Sequence, residues 1–321
     1  MDKALSNTIS MLRLPLAIMV VLLHIHPAPV AVTDPAAQTA PVYNMVKICL
    51  VLIANLAVPC FFIMSGYLLM IKDRNYMDVI KTRTISLVIP YILWNILGAG
   101  YLQLSGQPVE WSFRGIFLEP VNFPLWFLRD LIVLSFMYPL FRFMINRLKW
   151  TSLIVITILF FCYGAQSLFF FYTGCFLTRQ RLPLNLSRKS LMILTLLIFA
   201  VYLCDVVFFK PGTLTVYHDI WLIVGSLYVF VLVYNIWGKK TANRKVGRLS
   251  SSTYFVYLSH KLGPVYISKL PWTLLPDSEL TGIISLLFSP FLAVAICILI
   301  YAILRRIMPR VFGIAIGSKT R

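Results

Sequence analysis

Ten apolar stretches follow one another along this chain, most of them close to the length of a membrane-crossing helix. They fall at about 9–27, 45–71, 82–104, 124–145, 151–165, 167–179, 190–209, 218–238, 252–270 and 282–306. A spanning helix needs roughly 20 mostly apolar residues, with a range of about 17–25. This pattern constrains the fold more than any motif does, because hydrocarbon offers backbone N–H and C=O groups no partner outside the segment itself. The expected fold is all-α: a polytopic membrane protein with about ten transmembrane helices, one domain over residues 1–321 and no appended soluble domain. Composition agrees, with 60% of the residues hydrophobic and 12% charged, against about 45–50% and about 25% in soluble domains. The fifth and sixth stretches are short and joined by little more than "YGAQS". They read either as two tilted helices or as one re-entrant hairpin.

The net charge is +18, from 29 basic and 11 acidic residues. On a soluble protein that would point to nucleic acid. Here the basic residues sit in short clusters between apolar stretches, so topology accounts for them and no nucleic-acid partner is expected. Basic residues favour the cytoplasmic side of a membrane. With the N-terminus inside, that side receives Lys3, then Lys72, Arg74, Lys81 and Arg83, then Arg142, Arg147 and Lys149. It also receives Arg179, Arg181, Arg188 and Lys189, then Lys239, Lys240, Arg244, Lys245 and Arg248, and finally Arg305, Arg306, Arg310, Lys319 and Arg321. Arg114 and Lys210 stay outside, with Lys269 at a border. Both termini are therefore expected in the cytoplasm. Lys3, the apolar run to Leu23 and the small residues of "PAPVAVT" imitate a secretory signal. Arg13 interrupts that run and nine further stretches would anchor the chain, so the segment is expected to be retained. The six cysteines lie in apolar runs without a CxxC pair, which fits small buried side chains rather than a disulfide framework or a metal site.

Ionisable residues inside apolar stretches carry the functional signal, since desolvating a charge at a helix centre costs roughly 2.5–3.5 kcal/mol on insertion scales. They are Arg13, His24, Lys47, Arg129, Asp130, Asp205, His260 and Lys261. Arg13 and His24 are eleven residues apart, close to three helical turns, so they share one helix face at a rise of about 16 Å. His26 faces nearly the opposite way and reads as an interfacial bystander. Pro15 is placed in the first helical turn, where its missing N–H costs little. Trp126, Arg129 and Asp130 lie in the outer part of the fourth stretch. Arg129 and Asp130 read equally as an ion pair between helices and as part of a site, and Asp205 is an available counter-charge. A histidine such as His260 within a membrane helix commonly bridges helices by a hydrogen bond. Lys261 would snorkel or pair with an acid, and Lys47 would snorkel to the outer interface. The "FFF" run at 169–171 reads as core or lipid-facing aromatic surface.

These residues resemble the acyltransferase-3 family of integral membrane acyltransferases, whose members include bacterial O-antigen and exopolysaccharide O-acetyltransferases. "LRLPLAIMVVLLH" is similar to the family's opening arginine, apolar run and histidine, matched by Arg13 and His24. "VPCFFIMSGYLL", "KTRTISLVIPYILW", "LWFLRDLIVL", "FFFYTGCFL" and "YFVYLSHKL" resemble further family segments in the same order. Two departures stand out: Ser10 where many relatives carry an aspartate, and Lys81-Thr82-Arg83 where many have paired basic residues. The resemblance implies transfer of an acyl group, usually acetyl, from cytoplasmic acyl-CoA to a hydroxyl of a cell-surface or lipid-linked sugar at a bacterial inner membrane. No permanently bound cofactor is implied.

On that reading Arg13 would hold the phosphate end of the donor, with Lys72, Arg74, Lys81 and Arg83 supplying further positive charge on the same side. His24 would meet the thioester, either as a general base or as the atom that accepts the acyl group. Trp126, Arg129, Asp130 and His260 would position the acceptor. Ser65 and Gly66 mark either close helix packing or a donor-lining turn; no His–Asp relay makes Ser65 a nucleophile. The competing class is a transporter or flippase, because intramembrane charges also mark substrate pathways.

Overall fold

The computed structural model describes residues 3–25, 41–109, 111–180, 187–208, 215–238, 244–276 and 278–318. The expectations for His26, the "PAPVAVT" segment, Arg181, Lys210, Lys239, Lys240, Lys319 and Arg321 lie outside the described residues. Among the described residues every regular element is helical. Six helices are long and apolar enough to cross a membrane: Lys3–Leu23, Pro41–Met70, Tyr76–Leu104, Lys189–Phe208, Val216–Ile236 and Glu279–Ile307. Their outer faces are apolar. Leu196 and Leu197 are each 59% exposed and Phe288 is 66% exposed, a surface that suits lipid and not water.

The other four apolar stretches are also helical, but shorter or interrupted. The fourth breaks at Met137, between Trp126–Phe136 and Tyr138–Phe143. The fifth and sixth form the helices Trp150–Tyr163 and Gln166–Phe176. At about 1.5 Å per residue these two rise only about 21 and 16 Å, short of the roughly 30 Å hydrocarbon core. The turn between them is closed by Gly164, whose N–H donates to Phe160 O at 2.9 Å. Phe160 then stacks on Phe169 with ring centroids 4.7 Å apart, so the pair is a helical hairpin. The ninth stretch is the helix Arg244–Ser259 followed by two 3₁₀ segments, His260–Leu262 and Pro264–Lys269.

The chain divides into two compact units, each assembled from separated segments. The first comprises residues 58–187 and 303–321. Its helices are α3 (Ala57–Met70), α4 (Tyr76–Arg83), α5 (Ile89–Leu104), α6 (Trp126–Phe136), α7 (Tyr138–Phe143), α8 (Trp150–Tyr163), α9 (Gln166–Phe176) and the terminal α15 (Pro309–Ala315). Its core is aromatic: Phe141, Phe160, Phe170, Phe171, Tyr172 and Phe176 are all at most 2% exposed. The "FFF" run is therefore core surface. Helices α3 and α9 meet backbone to backbone at Gly66 and Gly174. A Cβ on Gly66 would overlap Phe171 O, and one on Gly174 would overlap Ile63 O. Cys175 Sγ adds a contact to Gly66 O at 3.4 Å. Of the two roles open to the Ser65–Gly66 pair, Gly66 takes the packing one, and Ser65 is half-buried beside it.

Buried amides organise the other end of this unit. Asn95 Nδ2 donates to Gly115 O and Ile116 O at 3.2 and 2.6 Å, and its Oδ1 accepts from the Asn122 N–H at 3.1 Å. One side chain thereby satisfies a loop that would otherwise bury bare backbone groups. Trp94 Nε1 donates to Ala315 O at 2.9 Å, which ties α15 to α5.

The second unit comprises residues 2–57 and 188–302. It holds α1 (Lys3–Leu23), α2 (Pro41–Ala54), α10 (Arg188–Phe208), α11 (Thr215–Val233), α12 (Arg244–Ser259), α13 (Leu270–Leu274) and most of α14 (Glu279–Ile307). Helix α1 runs unbroken through Pro15. The sequence places Pro15 in the first turn; the helix instead begins at Lys3, so Pro15 is interior and cannot donate to Met11 O. An interior proline ordinarily kinks or breaks a helix. Here the ring lies on the exposed face, while Leu12, Leu16, Ala17, Val20 and Val21 are buried and hold the segment helical through packing. Asn7 Nδ2 reaches Gly238 O at 3.4 Å, and the Trp221 indole donates to Leu52 O at 2.8 Å. Tyr43 N–H donates to Glu279 Oε1 at 2.7 Å, above a cluster of Tyr43 and Leu286 packed by Leu22, Trp272 and Ile283.

Candidate active site

Helix α1 is apolar but carries hydroxyls that fold back on their own backbone, Thr8 to Ala4 O and Ser10 to Ser6 O, both at 2.9 Å. Such back-bonding gives these two hydroxyls partners within the helix itself. Arg13 is half-buried in its middle. The helix ends at Leu23, and His24 caps it. Its backbone N–H donates to Val21 O at 3.0 Å, and its ring Nδ1 lies 2.8 Å from Val20 O. The side chain thus satisfies one of the carbonyls that a helix C-terminus leaves open.

Helix α12 presents the second imidazole. Ser259 Oγ donates to Phe255 O at 2.8 Å. The helix then tightens into a 3₁₀ turn at His260. His260 is fully buried, and its Nδ1 lies 3.0 Å from Val256 O and 2.9 Å from Tyr257 O. Gly263 leaves the turn at φ 145°, a conformation that a side chain strongly disfavours. His260 Nε2 stands 3.3 Å from His24 Nδ1, with ring centroids 5.0 Å apart and the rings tilted by 59°. The expected interhelical hydrogen bond of His260 therefore runs to the other candidate histidine.

Backbone carbonyls only accept, so each Nδ1 that faces one carries a proton. In the neutral rings the lone pair then sits on Nε2 of both histidines. For His24 this fixes which nitrogen is the base.

In the first unit, Arg129 forks onto Asp130 Oδ1 through Nε at 3.0 Å and Nη2 at 2.8 Å, and its Nη1 donates to Leu118 O at 2.7 Å. Ser167 Oγ donates to Asp130 Oδ2 at 2.7 Å. Arg129 and Asp130 therefore neutralise each other and pin α6 to α9. Trp126, one turn before them, is half-buried against Phe62 with centroids 6.4 Å apart. Asp205, in the second unit, is buried, and its Oδ1 has no hydrogen-bond partner among the described residues.

The expected donor cations fall into two sets. Lys81 and Arg83 lie on α4, and Lys72 and Arg74 lie in the loop before it. Arg74 lines a cleft of about 450 Å³ with Tyr138, Arg142 and Arg147. Asp73 bridges Arg179 at 2.6 Å and Arg142 at 3.6 Å. From the sequence, Arg142 and Arg147 count only toward the positive loop charge. What would have singled them out is their placement five residues apart on a helix that folds back over the "KDRN" loop, and periodicity does not reveal that contact.

Comparison with known proteins decides the class. The acyltransferase-domain family of type 3 matches residues 7–304. The chain belongs to this acyltransferase family. Membership and the six long apolar helices together make it a multi-pass membrane acyltransferase. The chain is 25% identical over 303 residues to the succinoglycan biosynthesis protein ExoH of Rhizobium meliloti (strain 1021), covering 83% of this chain and 80% of that protein. No solved structure matches. The family match takes in Arg13, His24, Arg129, Asp130 and His260, so every candidate of both units lies inside the acyltransferase domain.

Proposed function

We propose that this acyltransferase moves an acetyl group from acyl-CoA to a sugar hydroxyl of a polysaccharide or its lipid-linked precursor. The observation that carries the reading is His24: it ends the helix that bears Arg13, and the contact of its Nδ1 with Val20 O makes Nε2 the basic nitrogen of the neutral ring. The relative's role in succinoglycan biosynthesis supports a polysaccharide acceptor. The charge bias of the loops supports both termini in the cytoplasm of a bacterial inner membrane.

In this mechanism the acceptor hydroxyl gives its proton to His24 Nε2 as its oxygen bonds to the acyl carbon. The C–S bond breaks, and the same proton passes to the departing CoA thiolate. A neutral imidazole suits this exchange near pH 7. Within the second unit Arg13, about 16 Å away along the helix, is a proposed phosphate contact; within the first unit the arginines around the Arg74 cleft are another. Trp126 and the Arg129–Asp130 pair are the proposed acceptor contacts.

The test is incubation of the purified full chain with labelled acetyl-CoA and bacterial surface glycan. Label appears on the glycan with the native protein and is lost in His24→Ala at unchanged donor binding. Transfer that persists in a well-inserted His24→Ala protein, or vectorial movement of glycan without label, would sink the reading.

A further inference from the structure

The acid–base reading of His24 leaves His260 without a task, although the two rings touch across 236 residues of sequence. We infer that His260 is a positioning residue, whose Nε2 accepts a hydrogen bond from His24 Nδ1–H and so holds the catalytic imidazole in one tautomer and orientation. The inference rests on His24 being the base.

Four distances lead there. His260 Nδ1 lies within 3.0 Å of two carbonyls, Val256 O and Tyr257 O. Its proton is therefore on Nδ1, and Nε2 offers only a lone pair. His24 Nδ1 lies 2.8 Å from Val20 O and 3.3 Å from His260 Nε2. A proton on His24 Nδ1 satisfies both at once as a shared bond. The reverse assignment would put a proton on His260 Nε2 aimed at one already on His24 Nδ1, or set the Val20 carbonyl against a bare nitrogen. With both rings neutral, only one arrangement satisfies all four contacts.

The consequence is chemical. When His24 Nε2 takes the hydroxyl proton, the ring becomes an imidazolium whose Nδ1–H is already directed at a neutral, buried acceptor. His260 keeps its own proton throughout, so its part is orientation and charge stabilisation rather than a relay. Partners that fix the tautomer and direction of a functional imidazole are commonly worth about 10–100-fold.

The experiment compares His260→Leu with His260→Gln in the full chain reconstituted with acetyl-CoA and glycan. Leucine removes the acceptor. Glutamine can place an amide oxygen close to the position of Nε2. The expected result is a kcat lowered about 10–100-fold in His260→Leu, with the KM for acetyl-CoA unchanged and most of the rate regained in His260→Gln. Nitrogen-15 spectra of the histidine-labelled native protein should show both rings protonated at Nδ1 and bare at Nε2, a readout that stands even where a variant fails to fold. Equal losses in the two variants, a native rate in His260→Leu, or a proton on His260 Nε2 would each overturn the inference. The two levels separate cleanly. Transfer retained in His24→Ala removes the base itself, whereas an inactive His24→Ala beside a fully active His260→Leu removes only the positioning role.

Discussion

Replacing Gly66 with alanine should destabilise the first unit although it adds only one methyl group. The new Cβ would overlap Phe171 O and stand 3.1 Å from Cys175 N, both backbone atoms of α9 that cannot swing aside. The two helices would have to separate, and overpacking of this kind costs about 1–3 kcal/mol. Gly174→Ala presses from the opposite side, against the carbonyl of Ile63 on α3. The pairs Gly66–Phe171 and Ile63–Gly174 run in opposite chain directions, so one antiparallel crossing serves both, and a single separation relieves both clashes. The double variant should therefore lose less than the sum of the two. Gly100→Ala is the control. It lies in α5 with open space around the added atom, and alanine should stabilise that helix by up to about 1 kcal/mol. Thermal unfolding in detergent, followed by helical circular dichroism, compares all four variants with the native protein. A Gly66→Ala protein as stable as the native one, or one that moves in the same direction as Gly100→Ala, would refute the close-approach argument.

Ser167→Ala removes a 2.7 Å bond to Asp130 and should cost about 1 kcal/mol, read from the same unfolding curves. The double variant Arg74→Gln/Arg147→Gln should weaken acetyl-CoA binding by about tenfold, or 1.4 kcal/mol, while Asp73→Asn should strengthen it by releasing Arg142 and Arg179; calorimetric titration in detergent distinguishes the two signs. These residues are exposed enough that none of the three changes should move the unfolding temperature appreciably. Gly263→Ala, at φ 145°, should cost about 1–3 kcal/mol of backbone strain and lower the transfer rate by displacing the His260 turn.

What could be read from the sequence was local. The apolar stretches gave the helical class, because it depends on each helix and its period. The Arg129–Asp130 pair was visible as adjacent charges. The partners of these residues were not, since no period links His24 to His260, Asp130 to Ser167, or Arg74 to Arg147. Pro15 was misplaced because the helix starts earlier than its apolar run: Asn7 and Thr8 are buried despite their polarity, so hydropathy underestimates the N-terminal end. The short hairpin of α8 and α9 escaped a firm reading for a related reason, since composition reports how apolar a segment is but not what it packs against.

The bond between His24 and His260 also has a bearing on how the protein is made. At about 5–20 residues per second, the ribosome needs roughly 12–50 s to travel the 236 residues that separate the two rings. Throughout that interval the first helix is already built, with Arg13 and His24 in place, yet the segment that completes their surroundings does not exist. A chain released before residue 260 therefore carries His24 without the ring that contacts it in the finished fold. Helix α1 meets α2 early, through Leu22 against Tyr43, whereas its contact with α12 waits until that helix has been made.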